Sequence, residues 1–210
     1  MKRRSIFLII FLALLFATPT GHSSAAGKGL VTAVMDGDTI ELSNGQRVRY
    51  LGIDCPERGG GNQPPEFLSE EAYQLNRSLV YGKEVRLEGG AEARDRYGRI
   101  LAYVFLPDGR FVNRELVKNG LARVLYFDSR MPYFAELLQD QREALRAGRG
   151  IWAKALQETD RGYRGHKETR RFHRLDCPLG KKISFRNVIL FSAKKEAYWQ
   201  GQSPCRSCRP

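Results

Sequence analysis

Acidic and basic side chains recur in three short segments of the first hundred residues, at spacings that suit chemistry on a phosphate group. The segments are Asp36-Gly37-Asp38-Thr39, then Arg49 followed by Asp54-Cys55-Pro56-Glu57, and then Asp95-Arg96-Tyr97-Gly98-Arg99. Each segment alone is a weak signal, because Asp-Gly is common in turns. Together they supply what hydrolysis of a phosphodiester requires: an activated water, positive charge for the phosphoryl oxygens and a hard cation.

The residue types suggest a role for each member of this set. Asp38 and Asp54, on neighbouring strand ends, can bind calcium through oxygen, with main-chain carbonyls and water completing the shell. Glu57 lies three residues after Asp54, beyond a rigid proline, and can act as a general base, a contribution of about 10²- to 10⁴-fold. Arg49 and Arg99 can each present a planar guanidinium fork to phosphate oxygens.

The neighbours of this set are open to more than one interpretation. Arg96 and Tyr97 are candidate substrate contacts, by charge and by stacking on a base. Tyr97 could equally pack against the fold. We interpret Asp36 and Glu41 as turn and surface charges, and Asp54 and Glu57 taken alone would be solvated turn residues.

Hairpin and strand signals dominate the region that carries these residues. Strands are predicted at 30–35, 39–42, 47–53, 84–88, 99–105 and 122–126. Asn44-Gly45 favours a two-residue type I′ turn, in which Ser43 pairs with Gln46 and Asp38 lies opposite Leu51.

Helices are predicted at 66–80, 112–118 and 132–146. In the last of these, Phe134, Leu137, Leu138 and Leu145 fall on one face at helical spacing, as core residues do. Strands in a row with one helix among them and another at the end predict a β-barrel with helices (α+β), a five-stranded barrel of the OB type.

The same residues resemble the staphylococcal nuclease (thermonuclease) family over roughly residues 29–152, including Gly120-Leu121-Ala122 and Gly150-Ile151-Trp152. The resemblance implies that Asp38, Asp54 and the main-chain carbonyl of Cys55 bind calcium, that Glu57 is the base, and that Arg49 and Arg99 clamp the phosphate. It also implies a substrate contact at Tyr126 and in-line cleavage of DNA or RNA that leaves 3′-phosphate ends, with little sequence preference. Two features depart from the family: the first hairpin is shorter, and Asp128 replaces a second nucleotide-contacting tyrosine.

The last quarter of the chain carries most of the positive charge of the part beyond residue 26. Residues 160–210 hold 13 basic and 4 acidic side chains, whereas residues 27–159 hold 19 of each. A basic patch attracts nucleic acid through counterion release, although a solvated tail kept for solubility or a module that docks on a partner or on anionic cell-envelope polymers would have the same composition.

His173-x3-Cys177 and Cys205-x2-Cys208 offer an imidazole and three thiols, a common ligand set for tetrahedral structural zinc. The segment resembles the zinc-binding domain of the bacterial DNA phosphotriester-repair methyltransferase. His173 stands where that domain has its methyl-accepting cysteine, so the resemblance implies binding without methyl transfer. The alternative is a disulfide among Cys177, Cys205 and Cys208. Cys55 is expected to stay a free, packed thiol in either case.

The first residues have the layout of a signal peptide: Lys2-Arg3-Arg4, an apolar stretch at 6–17 and Ser23-Ser24-Ala25-Ala26. We predict cleavage near Ala26 and a secreted or periplasmic protein; a retained anchor is the alternative, but the stretch is shorter than the roughly 20 residues that span a bilayer. The predicted divisions are a signal peptide (1–26), a catalytic barrel domain (27–159), a basic linker (160–171) and a zinc module (172–210). We expect a monomer whose partners are DNA and RNA, with a non-catalytic nucleic-acid-binding barrel as the alternative function.

Overall fold

The fold is taken from a computed structural model that describes residues 25–155 and 162–210. Apart from its last two residues, the predicted signal peptide lies outside the described residues. Within the described ranges, no helix is long and apolar enough to cross a membrane.

The first described range contains seven strands and four helices. They are β1 (Ala25–Val34), β2 (Thr39–Leu42), β3 (Arg47–Tyr50), β4 (Ile53–Asp54), α1 (Ser69–Val80), β5 (Glu84–Arg94), β6 (Ile100–Phe105), α2 (Val112–Lys118), β7 (Arg123–Val124), α3 (Phe134–Arg146) and α4 (Ile151–Ala155).

Five of these strands close into a barrel in the order β1-β2-β3-β6-β5, with β5 paired to β1. All neighbours are antiparallel except β3 and β6, which run parallel. Alternate residues such as Val31, Ile40, Val48 and Leu87 are almost fully buried, because successive side chains of a strand point to opposite faces. The predicted five-stranded barrel with helices is confirmed.

The first hairpin has a different register from the predicted one. Thr39 lies opposite Arg49, and the Leu42 N–H donates to the carbonyl of Gln46. The loop therefore has three residues and ends at Gly45, whose φ of 76° suits the left-handed position of such a loop. Asp38 consequently lies opposite Tyr50 rather than Leu51, and the Tyr50 N–H donates to the Asp38 carbonyl.

Two glycines allow the loop after α2 to pack closely against the start of α4. A Cβ on Gly120 would lie 2.2 Å from the carbonyl oxygen of Arg149, and one on Gly150 would lie 2.2 Å from the carbonyl oxygen of Gly120. Both residues have positive φ, 68° and 57°. The loop after α2 and the start of α4 can approach this closely only because neither position has a side chain.

The C-terminal module has its own small sheet and two short helices. Its elements are β8 (Tyr163–His166), β9 (Arg171–Arg174), α5 (Pro178–Lys181), β10 (Val188–Phe191), α6 (Lys194–Trp199) and β11 (Ser203–Pro204). The sheet order is β10-β8-β9-β11. Within the predicted basic linker at 160–171, residues 163–166 form β8. Its period-two pattern was hidden because the second inward residue is Gly165, which has no apolar side chain to count.

The module packs on the barrel domain through a shared apolar core. Trp152 of α4 is 1% exposed and meets the ring of Tyr198 of α6 edge-on, with centroids 5.0 Å apart. Gln141 of α3 is fully buried; its Oε1 accepts from the Val124 N–H at 2.6 Å and its Nε2 donates to the Tyr198 carbonyl at 2.7 Å. One helix therefore fixes both a barrel-domain strand and a module helix.

Candidate active site

A cavity of about 470 Å³ opens at one end of the barrel, where the three sequence segments converge. Carboxyl groups of Asp36, Asp54 and Glu57 line it together with the guanidinium groups of Arg49 and Arg99. The opposite wall comes from the C-terminal module, through Arg171 and the segment 204–206. The cavity thus combines acidic and basic groups, as a site for a phosphate and a cation would.

The Asp36-Gly37-Asp38 turn is pressed against the floor of this site. A Cβ on Gly37 would lie 2.6 Å from the Cβ of Cys55 and 2.9 Å from that of Ala72. Only glycine fits there, and the turn is closed by Asp36 Oδ1, which accepts from the Asp38 N–H at 2.9 Å. Asp38 is 1% exposed, and its Oδ2 accepts from the Cys55 N–H at 2.7 Å.

Arg49 joins the two predicted calcium ligands. Its Nη1 pairs with Asp38 and its Nη2 with Asp54 Oδ1 at 2.8 Å. The other oxygen of Asp54 pairs with Arg123 Nε at 3.0 Å, since Asp54 and Arg123 are directly opposite in the β4–β7 pair. Burial alone would raise the pKa of Asp54, but the charges of Arg123 and Arg49 bring it below the usual value.

Glu57 stands at the rim, where its side chain is exposed. Burial of its carboxyl group, and next the negative charge of Asp36, raise the pKa of Glu57 above its usual value. A carboxylate with a raised pKa is a stronger base. Burial also raises the pKa of Asp36, against the opposing charge of Arg49.

The Asp95 side chain organises the loop that presents Tyr97 and Arg99. Asp95 Oδ1 accepts from the N–H groups of both residues at 2.9 and 3.0 Å, and Asp95 Oδ2 pairs with Arg99 Nε at 2.8 Å. The ring of Tyr97 is 68% exposed. Arg96 hydrogen-bonds the Tyr97 hydroxyl at 2.6 Å but does not line the cavity. Tyr97 and Arg99 also line a second, open groove of about 720 Å³ beside the first hairpin.

The donor chemistry of the site fits a hard divalent cation. Asp38, Asp54 and Glu57 offer only oxygen atoms, the ligands that calcium prefers. Burial, and next the negative charge of Asp36, raise the pKa of Glu57, and a bound cation would offset this negative charge. Cys55 is a free, buried thiol, and burial raises its pKa well above the usual value. A neutral thiol leaves the oxygen donors as the metal-binding groups.

Tyr126 lies away from the cavity. Its ring meets Phe134 edge-on at 5.1 Å, the Arg170 guanidinium lies 5.2 Å from the ring centre, and its N–H donates to Ser203 Oγ at 3.1 Å. The Arg170 guanidinium of the C-terminal module thus lies against a half-buried Tyr126 ring in this structure. The substrate contact at this position stays a prediction.

The cavity also contains residues that sequence reasoning missed. Asp36, interpreted as a turn charge, lines it, as do Glu66 and Arg123. Arg123 lies 69 residues from Asp54 in sequence, and no local pattern marks it. Only the pairing of two short strands brings the two together.

The four predicted zinc ligands form a compact, buried group. The ligand atoms of His173, Cys177, Cys205 and Cys208 all lie within 4.8 Å of one another. Burial lowers the pKa of His173, which favours the neutral imidazole that metal binding needs. Burial opposes ionisation of Cys205, but the N–H groups of Cys208 and Ser207 lower its pKa below the usual value. All three thiols are free.

The fold and the site together define an OB-fold protein with an acidic and arginine-rich cavity at one end of its barrel. Residues 47–154 match the family described as staphylococcal nuclease homologues. The chain belongs to the staphylococcal nuclease family.

Its relatives include bacterial endonucleases. The SPbeta prophage-derived endonuclease YokF of Bacillus subtilis (strain 168) is 40% identical over 136 residues, which are 62% of this chain and 46% of YokF. Endonuclease YncB of the same organism is 39% identical over 62% of this chain and 64% of YncB. The chain therefore spans less than two thirds of either protein. The thermonuclease of Staphylococcus hyicus is 34% identical over 69% of this chain and 91% of that protein.

Proposed function

We propose that this protein is a calcium-dependent nuclease that hydrolyses phosphodiester bonds of DNA and RNA and leaves 3′-phosphate ends. The observation that carries the proposal is the convergence of Arg49, Asp54, Glu57 and Arg99 on one cavity, in a chain that belongs to the staphylococcal nuclease family. The names of its relatives, endonuclease and thermonuclease, add support.

Each side chain has a task in this proposal. Arg49 and Arg99 hold the phosphoryl oxygens and neutralise the charge that develops on them. Glu57, with its raised pKa, accepts a proton from the attacking water. Calcium, held by Asp38, Asp54 and the main-chain carbonyl of Cys55, would polarise the phosphate when bound.

Low sequence specificity follows from the lining of the cavity. The groups that face it are mainly carboxylates and guanidinium groups, and contacts to phosphates position a strand without reading its bases. Tyr97 is the exposed ring beside these groups, and stacking on an aromatic ring tolerates any base.

For the C-terminal module we propose a structural zinc ion held by His173, Cys177, Cys205 and Cys208. Support comes from the close approach of their ligand atoms and from the burial of the three thiols, which form a small cluster of their own. A module of this size gains much of its stability from such a metal. We further propose, from the sequence of its first 26 residues, that the protein is exported to the periplasm or the medium. That it acts as a monomer stays an expectation.

Cleavage of single- and double-stranded DNA in calcium and in a calcium chelator tests the nuclease proposal. Wild-type protein should cut only in calcium, and Glu57→Gln should lower kcat by about 10²- to 10⁴-fold. Glu70→Gln is the matched control: it removes the same charge from an exposed glutamate that pairs with Arg58, outside the cavity, and its kcat should stay within about twofold of wild type.

Two outcomes would contradict the proposal. Tight binding of DNA by wild-type protein without cleavage in calcium would indicate the alternative function, a nucleic-acid-binding barrel. Equal loss of activity in the Glu57 and Glu70 variants would assign the effect of Glu57→Gln to general charge rather than to a base.

A further inference from the structure

The C-terminal module forms a wall of the active-site cavity, a position that a separate nucleic-acid anchor would not require. Arg171 of β9 lines the same cavity as Arg49 and Asp54. Pro204 of β11 and Arg206, two residues further on, line it as well. The module therefore contributes groups within reach of a substrate that occupies the site.

The position of this wall is fixed by contacts with the barrel domain. Ser203 Oγ accepts from the Tyr126 N–H at 3.1 Å. Within the module, Ser203 and Pro204 pair with Arg171 and Phe172, and the Cys205 N–H donates to the Phe172 carbonyl at 2.9 Å. The two arginines are thus carried on paired, hydrogen-bonded backbone.

The positive charges of this wall act on the carboxylate of Asp54, which already pairs with Arg49 and Arg123. Within the described ranges, no carboxylate forms an ion pair with Arg171 or Arg206. Arg171 is half-buried and lies on the same cavity wall as Arg206. Two neighbouring cations that face one cavity repel each other, and an anion between them would relieve this repulsion.

The chemistry of the substrate identifies the anion. A strand whose scissile phosphate lies at Arg49 and Arg99 carries further phosphates along the same backbone, and the ring of Tyr126 is already in contact with the Arg170 guanidinium. We propose that Arg171 and Arg206 form a second phosphate subsite, which holds the phosphodiester next to the scissile one. This inference rests on the proposed nuclease function.

The subsite makes a specific prediction about substrate charge. The substrate is a single-stranded DNA tetranucleotide cut at its middle linkage, with either flanking linkage replaced in turn by an uncharged methylphosphonate. In wild-type protein, neutralising one particular flank should raise KM roughly ten- to a hundredfold. The change in kcat should be small, because the contact is present in both the ground state and the transition state.

The double variant Arg171→Gln/Arg206→Gln should have the raised KM already with the fully charged substrate. Its KM should not rise further when that flank is neutral. This loss of the flank effect is a coupling between protein charge and substrate charge that a merely destabilised module would not produce. Arg206→Gln alone, at an exposed position, should lose part of it. Arg186→Gln, an exposed arginine of the same module that does not line the cavity, should keep the full wild-type flank effect.

The proposal is overturned if neutral flanks affect wild type and the double variant equally, or if Arg186→Gln behaves like the double variant. Failure of the nuclease proposal has a separate signature, since wild type would then leave even the fully charged tetranucleotide uncut in calcium. In that case fluorescence anisotropy with the same tetranucleotides, labelled, measures the coupling between protein charge and flank charge as a change in Kd. Absence of this coupling overturns the subsite, and its presence supports the subsite.

Discussion

At the scale of single residues, Arg49 bridges the two carboxylates assigned to calcium. Its guanidinium is largely buried between Asp38 and Asp54. Positive charge at this point is therefore required by the fold, and a calcium ion would share the same two acids. Calcium binding and protein stability are consequently linked through these residues.

Calcium should raise the unfolding temperature of the wild-type protein. A ligand at a hundred times its Kd stabilises the folded state by about 2.7 kcal/mol. Asp54→Asn should lose most of this gain, whereas Asp108→Asn, in an exposed turn beside Arg110, should retain it. Differential scanning fluorimetry in calcium and in chelator measures the shift; an equal gain in both variants would exclude Asp54 as a ligand.

Tyr97 and Tyr126 should respond differently to loss of the ring. Tyr97→Leu should raise KM for single-stranded DNA roughly five- to 150-fold, the effect of losing one stacked base, with little change in stability. Tyr126→Leu should lower the free energy of unfolding by about 1 kcal/mol, because its ring packs on Phe134, and leave KM near wild type. Steady-state kinetics and urea unfolding separate the two; an equal rise in KM for both would indicate a substrate contact at Tyr126 as well.

Residue chemistry explains how much of the site could be predicted. Asp54, Glu57, Arg49 and Arg99 were identified because carboxylates and guanidinium groups at these spacings suit a phosphate and a hard cation, and all four line one cavity. Arg123 could not be found this way, since its partner Asp54 is distant in sequence and the strands that pair them have two residues each.

At the scale of secondary-structure elements, α3 connects the barrel domain to the C-terminal module. Its buried face was predictable from helical spacing, and Leu137, Leu138 and Leu145 are buried. Gln141, a polar residue of that face, could not be predicted as a core residue. It stabilises the fold through hydrogen bonds to two backbone groups of segments that are distant in sequence.

Gln141→Leu should destabilise the whole protein. It would leave the Val124 N–H buried without a partner, at a cost of about 1–3 kcal/mol. The Tyr198 carbonyl would lose one donor and keep the Gly201 N–H at 3.0 Å. Gln139→Leu, an exposed position of the same helix, should change the free energy of unfolding by less than about 0.5 kcal/mol. Chemical denaturation measures both values, and equal values would show that the buried contacts contribute nothing.

Strand predictions succeeded or failed according to what set the register. The barrel strands carry apolar alternation, so a five-stranded barrel was predictable, whereas the pairing order β1-β2-β3-β6-β5 was not predicted. The first hairpin was predicted one residue out of register, because Asn44-Gly45 suits either a two-residue loop or the end of a three-residue one. Strands β8, β9 and β11 carry few apolar residues, whereas β10 is an apolar run that was not predicted as a strand. The shared core with Trp152 and Tyr198 could not be foreseen from either segment alone.

At the scale of the whole molecule, the basic module and the barrel form a single active-site cavity. Arg206 lies directly after Cys205 and two residues before Cys208 in the chain, both members of the proposed zinc site. The same small loop thus carries two of the four proposed zinc ligands and one of the arginines that line the cavity. Loss of the metal should therefore change substrate binding as well as stability.

Cys177→Ser should remove bound zinc and raise KM for the charged tetranucleotide as Arg206→Gln does. The reason is that the loop carrying Arg206 loses its fixed position when the cluster of His173, Cys177, Cys205 and Cys208 is no longer closed by a metal. Because calcium and Glu57 are untouched, kcat should stay near wild type. Ser207→Ala, in the same loop but outside the cluster, should keep both zinc and KM. The measurements are zinc content by atomic absorption and thiol titration of the unfolded protein. Wild-type protein without zinc and with two fewer thiols than its four cysteines would indicate a disulfide. An unchanged KM in zinc-free Cys177→Ser would show that the metal does not position the cavity wall.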